Sequence, residues 1–253
     1  CKSPLFTVMH TKIIEFKQKD LGDYTLIEGF PGMGLVGTIC AKYIIERLDF
    51  KLHGYIDSDI FMPVIRVHKG LPINPARIYI NDEKKLIVLI AEQIIQRKYT
   101  DHLAEEVVNW IKKKGVKKLI SLSGIHAEET AKGKVYGIAS NEASKKLLEE
   151  HGVEIIGDGI TSGITALILL KMKNSNIGAF SIMGDVKVAA DYEAAAELIK
   201  KLNEMLQLNL SIEPLLKEAK ETEKELVKQL ERLQKTRDIS VEKFEEEKTP
   251  MYT

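Results

Sequence analysis

The chain alternates between two hydrophobic periods. "YTLIEGF" (24–30) predicts a buried strand. A helix from about Leu35 to Leu48 follows, with Val36, Cys40, Ile44 and Leu48 four residues apart and Ile39 and Tyr43 beside them, making one apolar face. Four short β-rich pieces come next, "HGYID", "PVIRVH", "RIYI" and "LIVLIAE". They have no helix between them, so antiparallel or mixed pairing is expected. "KGLPINPARI" reads as a loop, since Pro72 and Pro75 both interrupt pairing. A helix from Asp101 to Lys114 follows, with Thr100 as N-cap and Gly115 as stop.

The second half continues the alternation. "VKKLISLSG" predicts a buried strand with a loop at its carboxyl end, and "KVYGIAS" a further strand. A helix over about Asn141–Glu150, a strand at "VEIIG", a helix over about Thr161–Lys171, a core strand at "IGAFSIMG" and a helix over Asp191–Leu208 complete the order. This succession predicts a three-layer α/β/α domain with a mixed sheet, spanning 9–208.

Beyond about Asn209 glycine disappears and Lys and Glu dominate. Ile212, Leu216, Ala219, Leu226, Leu230 and Leu233 recur in steps of four and three, interrupted at Glu223 and lost at Arg237. The pattern is an imperfect heptad, with Pro214 in the first turn where proline is tolerated. It predicts an amphipathic stalk over 209–244 that packs through Leu216, Leu226, Leu230 and Leu233, either on its own domain or on another subunit. Residues 245–253 read as a solvated, flexible tail. At the other end, Cys1–Val8 precede a natural-looking start at Met9 and read as a remnant or an upstream extension, set apart from the fold.

Composition narrows the class. With 44% hydrophobic residues the chain can bury a sizeable core. Lys+Arg and Asp+Glu balance at 37 each, which argues against a dedicated nucleic-acid surface. The two cysteines, Cys1 and Cys40, form no CxxC or Cys/His cluster, so neither a disulfide framework nor structural zinc is expected and a reducing cytoplasm fits. The longest apolar runs, "LIVLIAE" and "ITALILL", fall far short of the roughly 20 residues of a membrane span.

Gly32-Met33-Gly34-Leu35-Val36-Gly37 is formally G-x-G-x-x-G between a strand and a helix, with Asp57 twenty positions further on. That is the layout of a dinucleotide site. Against it stand Pro31 before the first glycine, bulky Phe30 and Met33 where phosphate needs space, and no hydride-transfer constellation. The alternative is a tight strand-to-helix crossover in which glycine lets backbones approach. His126 and Glu128, after the strand ending in "LSG", with Asp158, Asp185 and Ser123, are the candidates for acid–base or nucleophilic chemistry. "LSGIH" lacks the G-x-S-x-G elbow, and loop carboxylates usually solvate or cap. His53 and His68 lie on strands, and His10, His102 and His151 share no ligand spacing.

"EGFPGMGLVG" followed by an apolar helix resembles the signature of the proteasome assembly chaperone family, in its archaeal and bacterial branch. "SLSGIHAEE", "GDGITSGITALILL" and "SIMGD" fall where that family has corresponding elements, so the resemblance covers roughly Met9 to Leu208. It implies an α/β/α fold related in shape to nucleoside phosphorylases that works without ATP, cofactor, metal or catalytic residue. On that basis Gly29, Pro31, Gly32, Gly34 and Gly37 form a structural glycine loop. The ending Met251-Tyr252-Thr253 resembles the hydrophobic–tyrosine–any tail that proteasome activators and assembly chaperones insert between α subunits of the core particle. Met251 would supply apolar contact, Tyr252 a ring with a hydroxyl, and the Thr253 carboxylate a partner for lysine. The expected protein is an ATP-independent, non-enzymatic proteasome chaperone or activator, cytoplasmic and homo-oligomeric, with a tetramer favoured. The alternative is a nucleoside- or nucleotide-binding phosphorylase-like enzyme using Gly32–Gly37. A third reading is an oligomeric scaffold whose stalk binds an unrelated partner.

Overall fold

The computed structural model describes residues 10–127 and 133–217. A nine-stranded sheet organises them, from β1 (Thr11–Glu15), β2 (Thr25–Gly29), β3 (Lys51–Ser58), β6 (Ala76–Asn81), β7 (Leu86–Ala91), β8 (Lys118–Ile125), β9 (Val135–Ala139), β10 (Glu154–Ile155) and β11 (Gly178–Asp185). The spatial order is β1-β3-β6-β7-β2-β8-β11-β9-β10. The sheet is mixed, as its sequence predicts: β7, β2, β8 and β11 run parallel at the centre, whereas β3, β6 and β7 form an antiparallel meander.

Alternation along the central strands sends successive residues to opposite faces. On one face Leu26, Leu119 and Ala179 join a core with Leu103, Val107, Ile164 and Ile168, which come from α2 (Thr100–Lys113) and α4 (Gly163–Met172). Their strand neighbours Ile27, Ile120 and Phe180 are buried on the other face, against α1 (Val36–Arg47) and α5 (Tyr192–Leu206). Cys40 sits at the α1–α5 contact, its Sγ donating to Ala195 O at 3.3 Å. Burial pushes its thiol far above the ordinary range, so it is an inert core group. The remaining helix, α3 (Glu142–Glu150), is capped by Asn141, whose side chain accepts from Ser144 N. Asp191 caps α5 in the same way, accepting from Ala194 N at 2.8 Å.

Three local expectations are corrected. "TKIIE" is the edge strand β1, paired antiparallel with β3; the sequence reading assigned it no element. Thr100 is not an N-cap: it lies inside α2 and its hydroxyl donates to Gln96 O at 3.3 Å, while Tyr99 occupies the cap position without a side-chain bond. Pro72 does not interrupt pairing, because β5 (Leu71–Ile73) pairs with β4 (Arg66–His68) in a separate two-stranded hairpin. A two-stranded ribbon has free edges, and a proline needs no N–H there. Gly115, with φ +71, ends α2 as expected.

Bringing β1 to the edge creates a buried ionic group that sequence spacing did not reveal. Glu15 meets His53 Nε2 at 3.0 Å and Lys114 Nζ at 2.6 Å. All three side chains are nearly inaccessible, so they tie β1, β3 and the end of α2 together.

Contacts divide the chain after Leu210 into two compact units. Of the second, residues 211–217 are described, with helix at 213–217 and Leu216 half-buried. Leu226, Leu230, Leu233 and the Met251-Tyr252-Thr253 ending lie outside the described residues, as do Glu128 and Cys1–Val8.

Candidate functional site

The glycine loop leaves β2 at the carboxyl edge of the parallel strands and enters α1 through a single 3-10 turn, Met33–Leu35. Much of it is packed against the protein's own atoms, although Gly32 and Met33 are exposed. A Cβ on Gly37 would lie 2.2 Å from Leu122 O, and one on Gly29 would lie 2.4 Å from Gly37 O. Gly34 has φ +63, and a Cβ there would come within 2.7 Å of the Val186 side chain. From the opposite side Gly124 approaches so closely that its Cβ would sit 2.4 Å from Met33 O. The Gly34 carbonyl accepts from Asp191 N at 2.8 Å. Gly32 is different: its backbone is extended and a side chain would meet nothing within 4 Å. Pro31 is half-buried beside it.

Two features set this loop apart from a dinucleotide cradle. Val186, Gly124 and the Asp191 amide occupy the space around the loop where a pyrophosphate would have to approach. Asp57, the acid twenty residues on, lies on β3, which is separated from β2 by β6 and β7. Three strand spacings put it about 14 Å from the loop's strand, and it pairs with His10 at 3.2 Å instead.

Directly beneath the loop is a polar row inside the sheet. Glu28, Ser121 and Ser181 are register partners on β2, β8 and β11 and all three are fully buried. One Glu28 oxygen accepts from Phe30 N at 2.9 Å and the other from Thr165 Oγ1 of α4 at 3.1 Å. Burial pushes the Glu28 carboxyl above its ordinary value, against the opposing pull of Ser121, the Phe30 amide and Thr165. Neither Ser121 Oγ nor Ser181 Oγ reaches a partner in hydrogen-bond geometry. The sequence offered one signal for this group, a lone glutamate inside the apolar strand "TLIEGF".

The other candidates disperse or serve local structure. His126 and Asp185 stand at the neighbouring ends of β8 and β11, each engaged with backbone: His126 Nδ1 lies 2.8 Å from Val186 O, and Ala127 N donates to Asp185 at 3.2 Å. Asp158 is exposed on the loop before α4 and Ser123 is half-buried. His68 is exposed on β4, His102 contacts Thr11 Oγ1 at 3.0 Å, and the His151 carbonyl accepts from Lys201. Among the described residues no group of three His, Cys, Asp or Glu is arranged to hold a metal ion. No helix among them is long and apolar enough to cross a membrane.

The same carboxyl edge carries the hairpin, whose first strand lies in the β-rich piece "PVIRVH" and whose second lies in the stretch read as a loop. β4 and β5 turn at Lys69 and Gly70, both left-handed, the conformation a two-residue hairpin turn needs. Gln93 stitches the segment before β4 to the body, donating to Met62 O and Val64 O and accepting from Met62 N. Glu92 anchors it electrostatically, meeting Arg66 at 2.6 Å and the buried Arg77 of β6 at 3.0 Å.

These features define a class: a mixed-sheet α/β/α protein whose glycine-rich crossover is filled by its own backbone and whose carboxyl edge presents apolar surface. Residues 26–230 match the PAC2 family, and the chain belongs to that family. It is 35% identical over 216 residues, 85% of this chain and 89% of the other, to an uncharacterized protein of Methanocaldococcus jannaschii. Its fold superposes with a TM-score of 0.79 on the crystal structure of Pyrococcus furiosus PbaA, an archaeal homolog of proteasome-assembly chaperone; identity is 32%, covering 90% of this chain and 100% of that one. Pyrococcus furiosus PbaB, an archaeal proteasome activator, shares the fold at a TM-score of 0.73 and 23% identity, over 87% of this chain and 98% of that one. The resemblance carried by "EGFPGMGLVG" therefore holds at the level of family and fold.

Proposed function

We propose that this protein is an ATP-independent proteasome-binding chaperone or activator, acting through Met251, Tyr252 and Thr253 in pockets between α subunits of the core particle. The observation that carries the reading is a coincidence within one chain. A PAC2 core is joined to a hydrophobic–tyrosine–threonine segment about two hundred residues from the glycine loop. Met251 and Tyr252 supply apolar area with a polar tip, and Pro250 restricts the chain just before the anchor, lowering the ordering cost of docking. A single short segment binds weakly, so a homo-oligomer presenting several gains by avidity. On this reading the tetramer is the favoured form and the protein works in the cytoplasm. On the same reading the stalk, packing through Leu216, Leu226, Leu230 and Leu233, is the element that joins the segment to the core.

On the same reading the protein is not an enzyme, and Gly29, Pro31, Gly32, Gly34 and Gly37 are architectural. The self-filled loop supports that view over a nucleotide site. The deciding experiment is peptide hydrolysis by a matched core particle with the full chain and with a version ending at Pro250. Stimulation that vanishes on truncation is the expected result. Core-particle binding that survives the loss of Met251–Thr253 undiminished overturns the docking role.

A further inference from the structure

Strand register aligns one row of side chains across five strands: Leu89, Glu28, Ser121, Ser181 and Ile138, on β7, β2, β8, β11 and β9. The two outer members pack into or against the hydrophobic core, and Leu26, Leu119 and Ala179, two residues earlier on the three middle strands, belong to the same core. The row therefore faces α2 and α4, and Thr165 of α4 donates to Glu28 at 3.1 Å. Its three polar members are completely inaccessible. Glu28 is satisfied by the Thr165 hydroxyl and the Phe30 amide. The Ser121 and Ser181 hydroxyls meet no hydrogen-bond partner among the described residues. An unpaired hydroxyl in the interior is costly, and folded proteins rarely leave one without protein or water beside it. Here two such groups are direct neighbours.

We infer that Ser121 and Ser181 together form a binding site for one buried water molecule, which carries the polar row from Glu28 across β8 to β11. Spacing is the first argument. Adjacent strands lie about 4.8 Å apart, and two hydrogen bonds of about 2.8 Å meeting at a water's tetrahedral angle span about 4.6 Å. Register partners on parallel strands project side by side, so one water matches the gap between the two hydroxyls. Size is the second. A leucine or isoleucine at either position would fill the layer as Leu89 and Ile138 do, whereas serine leaves room, and room lined by hydroxyls takes water where an apolar void stays dry. The third is the number of partners, since a buried water makes two to four hydrogen bonds. The two serines supply the first pair, and Glu28 and Thr165, next along the row, offer further acceptor oxygens. Burial raises the Glu28 carboxyl and Ser121 opposes that rise, so the serine and the carboxyl are electrostatic neighbours. Through Glu28 the row reaches the Phe30 amide at the start of the glycine loop, and through Thr165 it reaches α4.

The test is a high-resolution crystal structure of the full chain, with magnetic relaxation dispersion of water oxygen in solution to count long-lived internal waters. The comparison protein is Ser121→Ala/Ser181→Ala, which removes both hydroxyls and little volume. The expected result is a single water within hydrogen-bond distance of both Oγ atoms, and one long-lived water fewer in the variant. If the double variant loses the wild-type circular dichroism spectrum, Ser181→Cys takes its place in the count, because it keeps the volume and weakens the hydrogen bond. Serine hydroxyls turned onto backbone carbonyls, with no water between them, overturn the inference. Equal counts in wild type and variant overturn it as well. A peak ringed by five or six oxygen ligands assigns the site to a cation and overturns the water.

Discussion

The glycine loop and the hairpin occupy the same edge of the sheet and solve opposite problems. In the loop, backbone meets backbone: Gly29, Gly37 and Gly124 sit where any side chain would strike a carbonyl oxygen. In the hairpin, side chains are mostly open, with Val67 and Leu71 more than half exposed. The loop is therefore constrained from within, and substitutions there should register as stability. The hairpin lacks that constraint, and substitutions at its exposed positions should leave stability nearly unchanged. A motif that matches a nucleotide-binding pattern is thus the more architectural of the two, and a proline-containing stretch read as a loop is the more exposed.

The sharpest break in that comparison is Gly37→Ala. Its Cβ meets the Leu122 carbonyl, and neither backbone can retreat without moving α1 off β8. A loss of about 3 kcal/mol is expected in urea unfolding; a change under about 0.5 kcal/mol would mean the loop is looser than its geometry. Gly34→Ala should cost less, about 2 kcal/mol, from its left-handed backbone and the Val186 contact. Gly32→Ala, in open space, is the internal control and should be close to neutral by the same assay.

Leu71→Ser sharpens the other side. Its unfolding free energy in urea should lie within about 0.5 kcal/mol of wild type, as for an exposed residue; a loss above about 1 kcal/mol would mean that the hairpin is held as tightly as the loop.

Beneath the loop, Glu28→Gln should act through pH. The Glu28 carboxyl is held above its ordinary value of 4.5 by burial. The folded state therefore binds the proton more tightly than the unfolded state. The stabilisation is complete below about pH 4.5 and is lost as pH rises through the folded value. The wild-type melting temperature should thus fall relative to the variant's as pH increases from 4.5 toward neutrality. Parallel melting curves for the two proteins would contradict this.

Much of the fold was legible because it is local. The apolar runs "LISLSG" and "GAFSIMG" are β8 and β11, and the fourfold spacing of Val36, Cys40 and Ile44 is the buried face of α1. Asn141, placed at the start of its helix, proves to be the cap, its bond closing three residues on at Ser144. Thr100 has the same credentials, yet its hydroxyl turns back to Gln96, since the turn at Arg97–Tyr99 already starts the helix. β1 was missed because "TKIIE" is short and half-buried on an edge; its identity as a strand comes from pairing with β3, about forty residues away.

The sequence alone determined most of the strands and helices, that glycine was needed at the first crossover, and which family the chain resembles. These depend on periodicity and on residues neighbouring one another along the chain. Tertiary structure decided the rest. It aligned Glu28, Ser121 and Ser181 by strand register, brought Glu15, His53 and Lys114 together across β1, β3 and α2, and set Leu122 and Val186 against the glycines. It also left the hairpin's apolar side chains mostly open. No local pattern encodes these placements, because each depends on strand order, and strand order follows from burying the whole sheet between two helical layers at once.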